Sequence, residues 1–292
     1  MIGKDGLRVE LTGAHGTLVL TTFEEPAEDL EVWVTDLAGW VGGVGVESDD
    51  AQRKLGHGMV HAPARRTGRT LTLKGSAVSN TGVQVRELAD RFVSSLLWDG
   101  RLGTLRVATD TLDLTGEVRL DGDVKVEFLG DSAFLFEVPL FAPEPWLYAP
   151  PRTYQLYPAG AGVGLRFPLF VPEQPTRGVL SFGSQAPMTT SIVNEGNVDA
   201  YPIYTVRGDW SSGFRITAEN RIIEYPYAVL ATAPVTIDCA RGRLLIGGVD
   251  RTSELVSREW HKIPPRAGFV PVVQALAPAT GWVDVTARST YI

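Results

Sequence analysis

Apolar and polar positions alternate with a period of two in short runs along the chain. Leu7, Val9 and Leu11 alternate with Arg8 and Glu10, and Leu71 and Leu73 with Thr70 and Thr72. Leu112 and Leu114 flank Asp113, and Val283, Val285 and Ala287 alternate with Asp284, Thr286 and Arg288. Successive side chains of a strand point to opposite faces, so each run predicts a half-buried antiparallel strand. Over residues 118–128 the register can be argued further. A two-residue Asp121-Gly122 loop would scatter the apolar side chains over both faces. A three-residue loop, Asp121-Gly122-Asp123, pairs Leu120 with Val124 and Val118 with Val126 on one face. A hairpin with the longer loop is therefore expected.

Residues 84–97 break this pattern. Val85, Leu88, Ala89, Phe92 and Leu96 recur at helical spacing, with Arg86, Glu87, Asp90, Arg91 and Ser94 on the other face. Thr81 stands where a cap belongs and Gly100 where a stop belongs. A helix of about four turns does not persist alone in water, so it must lie on a sheet. Residues 141–151 then hold four prolines, which cannot sit in a central strand because each lacks the N–H that a ladder needs. Trp146 and Tyr148 in that stretch suit a linker packed on a domain. The expected organisation is a β-barrel or sandwich over residues 1–145, carrying one helix at about 83–97, and an antiparallel β-sandwich over 146–292. The second half has strand-length runs at 178–182, 202–206, 214–217, 235–239 and 244–246 and no second helix of comparable quality.

Composition narrows the function classes. In 292 residues, 27 Lys and Arg face 34 Asp and Glu, a net charge of −7. Strong non-specific nucleic-acid binding, which requires clustered cations to displace phosphate counterions, is not expected. A hydrophobic fraction of 44% and a mean hydropathy of +0.02 are too apolar for a disordered chain. The 31 Gly and 19 Pro fit many turns between many short strands. A single cysteine, Cys239, excludes an intrachain disulfide and a thiolate zinc cluster within one chain. Residues 1–10 do not read as a signal peptide, and no stretch approaches the roughly 20 apolar residues of a membrane span. Folding in a cytoplasm, without membrane insertion, is expected.

Candidate chemistry is sparse. Residues 39–45 are Gly-rich but lack the Lys-Ser/Thr pair and following helix of a phosphate loop, so they read as a turn. His57 and His61 stand four apart, but Gly56, Gly58 and Pro63 make the stretch a loop and no Glu follows His57, so no metal site is assigned. No Gly-x-Ser-x-Gly elbow occurs. Cys239, ending the run Val235-Thr-Ile-Asp-Cys239, reads as a buried strand residue. Asp49/Asp50 and Asp121/Asp123 lie in turn-like contexts, not as a glycosidase pair. Residues 194–199 lack the spacing of a calcium loop and read as a tight turn. No catalytic residue, cofactor or metal is expected. Basic residues gather over 61–69, as a solvated loop or an inter-subunit contact.

The stretch Asn194-Glu-Gly-Asn197-Val-Asp-Ala200-Tyr-Pro202-Ile-Tyr-Thr-Val-Arg-Gly208 resembles a segment of the distal tail proteins of long, non-contractile-tailed bacteriophages. There a turn N-x-G-N/D precedes A/S-x-P and an alternating strand that ends in Gly. Asn194, Gly196 and Asn197 suit a turn that needs positive φ or side-chain capping, and Pro202 suits the first position of a strand. Gly39-Trp40-x-x-Gly43, Arg53-x-x-Gly56-His57-Gly58, Arg69-x-Leu-x-Leu-x-Gly75 and Trp260-His-Lys-Ile-Pro264 fit the same family. Where the family usually has Pro-Gly-x-Asn, this chain has Pro264-Pro265-Arg266-Ala267-Gly268.

The resemblance implies a mainly β protein, with a tail-tube-like β-barrel carrying one packed helix followed by a galectin-like sandwich. It implies a homohexameric ring at the distal end of a virion tail, assembled in the host cytoplasm. The implied partners are the chain itself, the tail tube protein, the tape measure protein, and a tip, baseplate hub or receptor-binding protein. In such a ring the loop over residues 44–68, with Arg53, His57, Arg65 and Arg66, is expected to reach a neighbouring subunit. The alternative is a carbohydrate-binding module for host cell-wall glycan, with Trp210, Tyr225 and Tyr227 as stacking platforms.

Overall fold

The computed structural model describes residues 7–21, 30–79, 82–96, 100–158, 170–174, 177–180 and 190–292. The chain divides into two compact units, Met1–Pro150 with Tyr291–Ile292, and Pro151–Thr290. The division lies after Pro150, whereas the prolines suggested 145/146. Leu147 explains the difference: its side chain is buried in the core of the first unit, and Tyr148 pairs with Thr115.

The first unit contains β1 (Arg8–Gly13), β2 (Gly16–Thr21), β3 (Leu30–Ala38), the short strands β4 (Val46–Glu47), β5 (Ala51–Gln52), β6 (Met59–Val60) and β7 (Arg65–Arg66), then β8 (Arg69–Ser79) and α1 (Gly82–Ser95). It continues with β9 (Gly103–Ala108), β10 (Asp113–Leu120), β11 (Lys125–Leu129), β12 (Ala133–Ala142) and β13 (Leu147–Tyr148). Seven strands close a barrel in the order β12-β8-β3-β2-β1-β9-β10, and β10 returns to β12 through Arg119↔Phe141 and Leu120↔Leu140. The alternating apolar positions face inward: Val9, Leu73, Leu105, Val118 and Leu140 are fully buried. Helix α1 packs on β2, β8 and β12. It buries Val85, Leu88, Ala89, Phe92 and Leu96, the Phe92 ring lying 4.7 Å from that of Phe136, and exposes Arg86, Glu87, Asp90, Arg91 and Ser94. Thr81 and Leu97 fall outside the described residues; Gly100, at φ +73°, follows the helix.

The expected hairpin at Asp121-Gly122-Asp123 does not form. β10 and β11 both run along the same edge of β12, so the chain jogs between them and does not turn back. Leu120 lies opposite Leu140 and Lys125 opposite Glu137, which leaves extra residues on the β10–β11 side. Pro139 supplies the reason. Its carbonyl accepts from the Asp121 N–H at 3.0 Å, so the ladder position facing that edge has no donor. The strand bulges where it would need one, and Gly122 at φ +126° takes the bend.

The second unit begins with β14 (Arg152–Leu156), the pair β15 (Phe170–Gln174) and β16 (Arg177–Leu180), and β17 (Ile192–Val193). Phe182 of the expected run 178–182 lies outside the described residues. Then come β18 (Ile203–Arg207), β19 (Phe214–Ala218), β20 (Arg221–Tyr225), β21 (Val235–Asp238), β22 (Arg243–Ile246) and β23 (Val249–Asp250). Next are β24 (Ser257–Arg258), β25 (Gly268–Phe269), β26 (Val272–Ala275) and β27 (Trp282–Ala287), and the last strand is β28 (Thr290–Tyr291). The sheets β14-β27-β18-β21-β22-β23 and β24-β20-β19-β26 bury one shared core, to which the first contributes Tyr204, Ile237 and Val285 and the second Phe214, Ile216 and Val273. This is a β-sandwich.

Asn194 ties the ends of this sandwich together. Its Oδ1 accepts from the N–H groups of Gly196 at 3.0 Å and Thr290 at 3.3 Å, and its Nδ2 donates to the carbonyls of Val198 at 2.7 Å and Ile263 at 3.0 Å. Side-chain capping, not positive φ, makes the turn: none of Asn194, Gly196 and Asn197 has positive φ. Gly196 is required because a Cβ there would overlap the Thr290 carbonyl. The strained residue is Arg266, at φ +56°, whose N–H reaches the Asn194 carbonyl at 2.8 Å.

Cys239, Tyr204 and His261 meet inside the same core. Burial pushes the Cys239 thiol up to about 12, which makes it an inert apolar filler. His261 is fully buried, with Nε2 3.1 Å from the Arg221 carbonyl and Nδ1 2.7 Å from the Tyr204 hydroxyl. Nε2 must be the donor to a carbonyl, so Nδ1 accepts from Tyr204.

Replacement Asn194→Ala leaves buried backbone groups unpaired and is expected to destabilise the second unit by about 3 kcal/mol in urea unfolding; a loss under about 1 kcal/mol would show that Asn194 is not the fastener. Burial, more than any neighbouring charge, holds the His261 pKa below its ordinary value. The unfolded chain therefore takes up a proton first, near pH 6.5, and stability should be level above that and fall as pH drops toward the lower folded pKa. Urea midpoints from pH 8 to 5 should show this slope in the native chain and a smaller one in His261→Gln; equal slopes would contradict it.

Candidate functional site

Between β3 and β8 the chain forms an arm. Val46 and Glu47 pair with Arg66 and Arg65, Ala51 and Gln52 pair with Val60 and Met59, and the Arg53 N–H reaches the Gly58 carbonyl at 3.3 Å. Gly56 and Gly58, at φ +102° and +94°, shape the tip. Asp50 braces the middle: it accepts from the Ala62 N–H at 2.7 Å and the Ser48 hydroxyl at 3.0 Å, which hold its carboxyl below the usual range.

Every residue from 51 to 61 is exposed. Leu55 at the tip is 93% exposed and Met59 and Val60 each 54%, so the arm offers apolar side chains to whatever meets it. An isolated two-stranded hairpin is marginal in water. Arg53 and His57 lie toward the tip and Arg65 and Arg66 toward the base, on one hairpin. Arg66 Nη1 turns back to the Val44 carbonyl at 3.1 Å. Among the described residues Arg53 and Arg65 have no ion-pair partner.

The arm's root is fixed by Arg69, which is only 3% exposed and therefore not part of the solvated basic loop that the sequence suggested. Its Nη1 donates to the carbonyls of Gly39, Trp40 and Gly42 at 2.8, 2.9 and 3.3 Å, and Nη2 to that of Pro145 at 3.2 Å. Among the described residues Nε has no partner, and desolvation lowers the guanidinium's pKa. A buried cation without a counter-ion is costly, and here carbonyl dipoles offset that cost. Gly39, at φ +81°, lies so close to the Thr70 carbonyl that a Cβ would overlap it. Arg69 was legible in the sequence by parity: Arg69, Leu71, Leu73, Gly75 and Ala77 share the inward phase of β8.

A second unpartnered surface is β11. It ends the sheet order, pairs among the described residues only with β12, and exposes Phe128 and Leu129, each 49%, beside Leu135, 40%. Lys74 and Lys125, each 3.1 Å from Glu137, flank it with charge.

The stacking platforms are corrected. Trp210 is fully buried, bridged to Val229 and Ala279 with its Nε1 donating to the Arg207 carbonyl at 2.9 Å. Tyr225 is 3% exposed against Phe214; Tyr227, 54% exposed, is the one surface ring of the three. Both buried rings serve packing, because they fill the space between the sheets. Among the described residues no group of three His, Cys, Asp or Glu could hold a metal ion.

No protein-family model matches the chain, and neither does any curated protein. Among solved structures, the Dit (gp 19.1) protein of phage SPP1, described as a paradigm of hub adsorption apparatus in phages that infect Gram-positive hosts, matches with a TM-score of 0.60 at 12% identity, over 89% of this chain and 94% of that one. The chain therefore has the fold of that protein. The phage P2 baseplate in its activated conformation, with Ca or with Sr, matches at TM-scores of 0.47 and 0.46 and identities of 11% and 10%, over 96% of this chain and 97% of that one in both cases.

Arg69→Met keeps the volume but strips the arm root of its donors. It is expected to cost the first unit about 2–4 kcal/mol and to speed amide exchange at residues 39–45, while unfolding of the second unit is unchanged. Unaltered exchange at 39–45 would remove Arg69 from the root.

Proposed function

We propose that this chain is a structural, non-enzymatic component of a phage tail. Copies of it close into a homohexameric ring that joins the tail tube to the tip or baseplate hub, around the passage of the tape measure protein. The reading places it at the distal end of the virion tail, after assembly in the host cytoplasm. The observation that carries it is the rooted arm, built as a defined hairpin yet exposed along its length, with apolar side chains at its tip. A surface of that kind is a liability in a monomer and is covered between copies. The open edge of β11 supports the same reading, as does the fold shared with SPP1 Dit, which is described as a paradigm of hub adsorption apparatus. Arg53, His57, Arg65 and Arg66 are the polar contacts the arm would bring to a neighbour. Glycan attachment by the second unit, the alternative, cannot rest on Trp210 and Tyr225, which are buried.

Replacing residues 46–66 by a short Gly-Ser link tests the arm. By mass photometry the full chain is expected as a hexamer and the deletion as smaller species with an unchanged barrel unfolding transition. An intact ring without the arm would sink this role for it.

A further inference from the structure

The hairpin of β1 and β2 closes on a two-residue turn, with Gly13 opposite Gly16. A pair that flanks so short a turn exchanges both of its hydrogen bonds, so Gly16, Leu18 and Leu20 spend their backbone groups on β1. The N–H and C=O groups of Thr17, Val19 and Thr21 therefore face the opposite edge of β2. β3 takes only the far end of that edge, through the single pair Thr21↔Trp33. Beside Thr17 and Val19 no strand is paired among the described residues, which leaves a length of free edge inside an otherwise closed barrel.

Helix α1 packs against β2 and turns this stretch into a groove. Leu18 of β2 and Leu88 and Phe92 of α1 wall a cavity of about 550 Å³, which Thr17, His15 and Arg91 also line. Leu18 is half-buried and Leu88 and Phe92 are buried, whereas His15, Thr17 and Arg91 are exposed and so stand at the opening. Among the described residues neither His15 nor Arg91 has an ion-pair partner. Glu87 and Asp90 lie on the same helix but do not line the groove. A free backbone edge, an apolar wall and an uncommitted guanidinium thus meet in one place.

We propose that this groove takes up an extended peptide segment of another protein, added as a strand to β2 and carrying an acidic side chain next to apolar ones. In strand addition the main-chain bonds, here to Thr17 and Val19, give affinity, and pockets for alternate side chains give specificity. Side chains of one parity would enter the groove against Leu18, Leu88 and Phe92, where burial of apolar surface rewards them. A carboxylate at its opening would meet the Arg91 guanidinium, whose planar fork suits bidentate pairing. A basic segment is repelled there, and this argues against the arm of a second copy, whose tip carries Arg53, Lys54 and His57. The site is separate from the arm and from β11, and it stands or falls without the ring.

The test uses the full chain and three fluorescein-labelled nine-residue peptides, one of alternating valine and glutamate, one of valine and lysine, and one of serine and glutamate. Fluorescence anisotropy is expected to show saturable binding of the valine–glutamate peptide and binding weaker by about tenfold or more for the other two. Arg91→Glu should weaken the valine–glutamate peptide by about tenfold or more and Arg91→Lys by less, and N-methylation of the peptide's alternate amides should abolish binding. Amide exchange at Thr17 and Val19 should slow when the peptide is bound. Arg91 is exposed, so its variants should keep the native urea midpoint. Mass photometry of Arg91→Glu should match the native chain; a smaller species would make the groove a contact between copies and overturn the proposal while leaving the ring reading intact. No binding of the valine–glutamate peptide, equal binding of the valine–lysine peptide, or indifference to Arg91→Glu would each overturn it as well.

Discussion

Closure of the barrel through two residue pairs, Arg119↔Phe141 and Leu120↔Leu140, is the constraint from which the rest of the first unit follows. Those pairs occupy one end of the β12 edge, and β11 takes the remainder of it. The continuation of β10 is then pushed beyond the closed ring of strands, with its outer edge unpaired among the described residues and Phe128 and Leu129 exposed. β3 and β8 pair directly as neighbours in that sheet, so the residues between them have to leave and return at one place. Arg69, the first residue of β8, turns that place into a fixed root by gathering carbonyls from both the arm and the chain at Pro145. The open edge thus follows from closure, and the rooted arm from the direct pairing of β3 with β8.

The second unit solves a different problem, that of tying together segments distant in sequence. Asn194 does so with one side chain that reaches the backbone at residues 196, 198, 263 and 290. The buried Tyr204–His261 pair adds a polar contact inside the core, fully partnered when His261 is neutral. Outside that core, the alternation that buries Val283 and Val285 presents Trp282 and Asp284 to solvent. One periodicity therefore supplies both the packing inside and the polar face outside.

Period-two alternation made most strands legible, and helical spacing located α1, because both are local consequences of which side chains need burial. Local pattern failed where pairing is not local. The loop at residues 121–123 was read as a hairpin because sequential strands commonly pair, but the partner of β10 and β11 is β12, and the missing donor of Pro139 lies some distance along the chain. The stretch at Asn194 was recognised as a turn, while its fastening by Ile263 and Thr290 could not be seen from its own residues. Trp210 is a candidate stacking ring under the carbohydrate-binding alternative; the sheets' shared interior shows it to be core. Arg69 is a different case: grouping it with the basic residues of 61–69 passed over its parity with Leu71 and Leu73, which marks it as inward-facing.

The central claim is that this barrel, with its rooted arm and open edge, is completed by copies of itself. Electron microscopy of the purified full chain tests it most directly. Class averages are expected to show closed rings with six-fold symmetry, with density for each arm lying against the adjacent copy. Single particles of monomer mass at high concentration, or open chains that never close, would contradict it.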